Sequence, residues 1–251
     1  MPSSEAGWQS LRPLDREALG EARRQAINLV QWLARIANSY VQTDAPEKRL
    51  ALEFRPSDAV LVTKTFANAL SLELRLPTLE LQFRENGKPV PHIFNPEERS
   101  PAEVEAWLLV ELLHRGVDRT MFSKGLPYTI PGLLTGDAED HSPEACQPAL
   151  TQLMTWMQNA AAILGTLPFA GHGIVCWPPT LALSCASNDA SAQAYAGFSP
   201  GDGQNPEPHF YRRQPAQHGS SEAYSILTAE EILASRDPTA LAVAFMTSAA
   251  K

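Results

Sequence analysis

Apolar residues recur at three- and four-residue spacing from residue 15 to 41: Leu19, Ala22, Ala26, Leu29, Leu33, Ile36 and Tyr40. That spacing collects them on one stripe of a long helix. Asp15 stands ahead of the stripe as an N-cap or first-turn acid, favourable near the positive end of the dipole. Residues 43–46 end the helix. The period then changes to two. Residues 59–66, AVLVTKTF, form a β-branched run that reads as a strand ending near Phe66. Leu72, Leu74 and Leu76 alternate with polar neighbours, and Leu79, Leu81 and Phe83 continue the alternation after Pro77. Asn86-Gly87 follows, the dipeptide that best tolerates the positive φ angles of a tight hairpin. The return strand, about 90–94, sits among Pro89 and Pro91; proline cannot donate to a ladder, so this is a short edge strand.

Ser100-Pro101-Ala102-Glu103 is a helix start, with a capping serine, proline in the first turn and an acid behind it. Val104, Leu108, Leu112 and Leu113 face inward, and Gly116 marks the end. After a Pro- and Gly-punctuated loop over 122–136, a helix spans about 143–164 with Leu150, Leu153, Met154, Met157, Ala161 and Leu164 as its apolar set. Short strands are expected at 174–177, 180–186, 192–198 and 209–212, then helical segments at 229–235 and 238–247. No repeat, low-complexity tract or long linker is visible. The order helix, strands, helix, helix, strands, helix predicts an α+β fold, a mixed or mainly antiparallel sheet with packed helices. Residues 1–251 read as a single compact domain, with 165–173 as the place where a subdivision would fall.

Composition narrows the classes of function. Twenty Lys and Arg stand against 28 Asp and Glu, a net charge of -8. Such a surface repels phosphate backbones, and the densest basic pairs, Arg23-Arg24 and Arg212-Arg213, are too short for a nucleic-acid stripe. No apolar run reaches the roughly 18 residues of a spanning helix. The opening residues carry acids and resemble neither a signal nor a transit peptide, so a soluble cytoplasmic protein with no membrane partner is expected. Cys146, Cys176 and Cys185 are odd in number and lack CxxC spacing; they read as reduced thiols, not zinc ligands.

Candidate chemistry concentrates in GFSPGDG (197–203) and PEPHFY (206–211). Pro200-Gly201 is a strong turn signal, holding Asp202 on a sharp bend, while His209 and Tyr211 share one face of the next strand. Asp202 near His209 would fix the imidazole tautomer, as an acid–base pair requires. The simpler reading is that Ser199 and Asp202 satisfy the turn's backbone and His209 is partly exposed. Trp177, Phe198, Ser199, Glu207 and Tyr211 are the candidate ligand-binding residues, an aromatic wall with a few polar groups, although aromatics equally build a sheet core. Asp137, Glu139, Asp140 and His141 cluster in a polar loop; capping explains them better than a metal does. His172, between glycines, has no evident partner. P-loop, GxGxxG, GxSxG and HExxH motifs are absent, and no cofactor is implied.

IVCWP (174–178), GFSPGD (197–202) and PEPHFY (206–211) together resemble an uncharacterised bacterial family, a domain of unknown function. The likeness covers mainly 172–215, more loosely 72–116, and brings no activity with it. That family carries polar His and Asp after its Cys-Trp-Pro strand, where this chain has Pro179-Thr180-Leu181-Ala182. The resemblance therefore implies a divergent or non-catalytic member that retains Asp202, Glu207, Tyr211 and, at a tyrosine position, His209.

Three functions follow as expectations. The first is small-molecule binding at the 199–211 turn and strand. The second is an acid–base, hydrolase-like enzyme using Asp202 and His209, with Ser199 as an optional third member. The third is an interaction or oligomeric scaffold, which would expose a contiguous apolar patch in place of a cleft. Oligomeric state is not legible in the sequence.

Overall fold

A computed structural model describes residues 8–9, 11, 15–43, 48–167, 173–185, 195–214 and 223–247. The first helix, α1 (Arg16–Tyr40), starts at Asp15, whose carboxylate accepts from the Ala18 amide at 3.0 Å. Five strands follow: β1 (Leu52–Arg55), β2 (Val60–Val62), β3 (Leu70–Arg75), β4 (Leu81–Glu85) and β5 (Lys88–Phe94). The β4–β5 hairpin turns at Asn86 and Gly87, both left-handed with φ 50° and 75°, as the dipeptide requires. Then come α2 (Pro101–His114), with a full Ser100/Glu103 capping box, and α3 (Gln147–Gly165). A second strand set, β6 (Ile174–Trp177), β7 (Ala182–Cys185), β8 (Tyr195–Ser199), β9 (His209–Gln214) and β10 (Ala223–Thr228), leads into α4 (Ala229–Ala234) and α5 (Pro238–Thr247).

The strands form one ten-stranded sheet in the order β10-β9-β8-β7-β6-β1-β2-β3-β4-β5. Every pairing in it is antiparallel. The fold is therefore α+β with a wholly antiparallel sheet. Two strands escape the sequence pattern, β1 and β10, each short and without a long alternating run. The run at 59–66 is strand only over β2, and the third helix begins four residues later than expected, after a 3-10 turn at Glu144–Cys146. The start of the strand expected at 192–198 and most of the 165–173 junction lie outside the described residues. The sheet nevertheless continues across that junction, because β1 pairs with β6.

Helices cover one face. Leu52, Phe54, Leu61, Leu72, Leu74, Phe83, Cys176, Leu183, Phe198 and Phe210 point into it and are at most 4% exposed. Trp107 of α2 and Trp156 of α3 meet this layer at Phe83 and Phe198. By the period of two, the opposite face carries Glu53, Glu73, Trp177, Ser199, His209, Tyr211 and Thr228.

The two strand sets have the same topology: a long helix, a five-stranded meander, then a helix. Each first hairpin is closed by four residues that begin with proline, at 56 and 178, and end left-handed, at Ala59 (φ 54°) and Leu181 (φ 58°). Matching those prolines makes Glu53 equivalent to Val175, and these two residues face each other across β1–β6. The molecule is built about a pseudo-twofold axis at that pair.

Candidate functional site

The site grows from the β8–β9 connection. Strand β8 ends at Ser199, paired with His209 at the start of β9. Between them the chain turns at Gly201, φ 116°, where a Cβ would overlap the Pro206 carbonyl and the Arg23 guanidinium. Only glycine fits there. Ser199 Oγ accepts from the Gly201 amide at 3.2 Å. Asp202 Oδ1 accepts from the amides of Gln204 (2.8 Å) and Asn205 (2.7 Å), closing the bend. These bonds are the turn chemistry that Ser and Asp favour.

The long helix fastens this loop from outside. Arg23 donates to the Pro200 and Pro206 carbonyls at 3.3 and 3.0 Å, bracketing the turn. Burial pulls its guanidinium below the ordinary value, and the Asp202 carboxylate works against that shift. Arg16, seven residues earlier and so on the same side of α1, binds Glu207 through Nε.

His209 is the most distinctive group. It is 1% exposed, not partly exposed. Its Nδ1 lies 2.9 Å from the Glu207 carbonyl oxygen, which can only accept, so the proton resides on Nδ1. Among the described residues Nε2 has no hydrogen-bond partner, and the Asp202 carboxylate lies closest to it, with Oδ2 at 3.8 Å. That distance exceeds a hydrogen bond. The expected role of Asp202 in fixing the tautomer therefore falls to the Glu207 backbone.

Beside this pair opens a cleft of about 320 Å³ lined by Arg16, Asn205, Pro206, Glu207, Pro208, His209, Ile226 and Thr228. It lies at the small end of ligand pockets, about 300–1,000 Å³. Of the candidate residues, Glu207 and His209 line it. The remaining candidates lie elsewhere. Phe198 is wholly buried on the helix-covered face, between Trp156 and Phe210, so the aromatic wall expected of it is core packing. Trp177 sits on the open face, its indole donating to Ser184 Oγ at 3.0 Å. The Tyr211 ring lies over Gly197, where a Cβ would overlap it, and stacks on Tyr224 at 6.3 Å. Burial raises its hydroxyl to about 12. Ser199 is buried and spent on the turn.

Arg16, Arg23, Ile226 and Thr228 were missed by sequence reasoning. The two arginines lie more than 170 residues from their partners, and the only local hint is their seven-residue spacing on α1. The acidic loop is structural: Asp137 accepts from Ser100 Oγ at 2.7 Å, and Glu139 pairs with Arg24. No cluster of three metal-binding side chains occurs among the described residues. Cys176 and Cys185 do not face each other, since Cys176 pairs with Leu183 and Cys185 with Ile174. His172 lies outside the described residues. No helix among them is long and apolar enough to cross a membrane. No family model, curated protein or solved structure matches the chain.

Proposed function

We propose that the protein binds a small molecule in the cleft between the 205–209 segment and β10. One observation carries this reading: His209 lines that cleft, its Nδ1 is already anchored, and its buried Nε2 has no hydrogen-bond partner among the described residues. A buried polar atom without a partner costs about 1–3 kcal/mol, which a ligand donor would recover. Two arginines from α1 and a strained glycine turn hold the histidine in place, and such support is what a binding site needs. Membership in the resembled family is part of the same proposal. The positions where that family carries polar His and Asp fall in the β6–β7 turn here, which fits a binding member better than a catalytic one.

A ligand-observed NMR screen of a fragment library tests the reading. Fragments bearing a hydroxyl or amine donor should bind the wild type and be lost from His209→Phe, a replacement that keeps an aromatic ring. A hit list unchanged by that substitution, or no hits, would remove the site from consideration.

A second reading, an acid–base enzyme, draws on Asp202 Oδ2 lying 3.8 Å from the free Nε2. It requires Nε2 to take a substrate proton while Asp202 stabilises the resulting imidazolium. On that reading Asp202→Asn retains fragment binding and abolishes turnover.

A further inference from the structure

We infer that the ligand is a small hydroxy-carboxylate, its carboxylate held by Arg16 and its hydroxyl donated to His209. This rests on the small-molecule reading above and specifies the chemistry of the same cleft.

The argument is one of complementarity between unused groups. Among the described residues, Arg16 and Glu207 are the formally charged side chains that line the cleft, beside a neutral histidine. Their pairing uses Arg16 Nε alone, and among the described residues the two Nη groups have no partner. A guanidinium presents a planar fork suited to two carboxylate oxygens. Here part of that fork is spent on Glu207 and the rest is open. The Arg16 side chain is 69% exposed while Glu207 is 18% exposed, so the arginine is the member free to turn toward an incoming anion.

The complementary group is His209, a lining residue whose buried Nε2 has no hydrogen-bond partner among the described residues. With the proton on Nδ1 it is an acceptor, and it demands a donor from the ligand. Pro206, Pro208 and Ile226 supply the remaining wall and fit an apolar spacer between the two polar ends. A hydroxyl suits this floor better than an ammonium, because a full charge placed against prolines and isoleucine loses its hydration. Anion at one end, donor at the other and a compact apolar body between them describe a hydroxy acid.

Calorimetric titration of the full chain with 4-hydroxybenzoate, benzoate and 4-hydroxybenzamide tests this. 4-Hydroxybenzoate should bind about tenfold more tightly than either of the others, the scale of one charge-assisted hydrogen bond. Arg16→Gln, at a position 69% exposed, should erase the advantage over the amide while leaving the circular dichroism melt near that of the wild type. Glu207→Gln should preserve or increase it, since the competing carboxylate charge is gone. Equal affinities for 4-hydroxybenzoate and 4-hydroxybenzamide, or indifference to Arg16→Gln, would overturn the inference. In that event hydroxybenzamide binding that disappears in His209→Phe leaves the small-molecule reading intact. Failure of all three probes also overturns the inference, and the fragment screen then decides the broader reading separately.

Discussion

His141 lies between the turn before α2 and helix α1, 1% exposed, with neither ring nitrogen hydrogen-bonded among the described residues. Its backbone is fixed by reciprocal bonds with the 98–99 segment. Burial lowers its pKa to about 4; Arg24 adds to the shift, while Asp140 and Glu139 oppose it. In the unfolded chain a histidine titrates near 6.5. Between about 6.5 and 4 the unfolded state therefore binds the proton and the folded state does not. Stability should fall as pH drops through that window, by up to about 3 kcal/mol, and level off below it. His141→Leu should flatten this portion of the melting-temperature profile while costing little at pH 7, because an apolar side chain leaves no buried nitrogen unmet. Parallel profiles for the two proteins would show that His141 is not responsible. At this scale the sequence supplied residue types without environments. The acidic loop does not cap the helix behind it as expected: Asp137 holds the Ser100 hydroxyl and Glu139 pairs with Arg24. The enclosure of His141 and His209 was not legible, because burial depends on what packs over a side chain from distant segments.

Each long helix latches the hairpin of the opposite half. Gln31 of α1 donates to the Pro178 carbonyl at 2.9 Å, and Gln158 of α3 donates to the Pro56 carbonyl at 2.7 Å. The two bonds are related by the pseudo-twofold and differ in enclosure: Gln31 and Pro178 are buried, Gln158 and Pro56 half-buried. Gln31 also accepts from the Tyr128 hydroxyl at 2.8 Å, tying the 122–136 loop to the same point. Gln31→Leu should cost about 1–3 kcal/mol, and Gln158→Leu distinctly less because water can reach the Pro56 carbonyl. Denaturant melts of the two variants check this, and equal losses would contradict the assigned burial. Element boundaries followed the strength of local signals. Helices α1 and α2 announce themselves by stripe and cap, and the β4–β5 hairpin by Asn-Gly. Strands β1 and β10 have four and six residues and acquire their strand character from neighbours already in the sheet.

The halves meet along β1–β6 and along α1 against α3, with Leu52 and Cys176 paired and fully buried at the seam. One continuous sheet and one shared core predict cooperative unfolding. Tryptophan fluorescence and far-UV circular dichroism should report a single coincident transition. Leu52→Ala should shift both signals together by about 2–5 kcal/mol; two separated transitions would mean that the halves unfold independently. The repeated topology leaves almost no trace in residue identity, since a meander needs only alternation and turns, which many sequences satisfy. What the amino-acid sequence determined by itself was therefore whatever is encoded within a turn or two of chain. That includes the first two capped helices, the hairpin, the glycine bend at 201 and the α+β class, while the wholly antiparallel pairing came from the tertiary structure. The tertiary structure alone decided which strands became neighbours, which face of the sheet stayed open, and that Arg16 and Arg23 would clasp a loop more than 170 residues away. Those outcomes depend on packing between segments that share no local pattern, so no periodicity or capping signal foreshadows them.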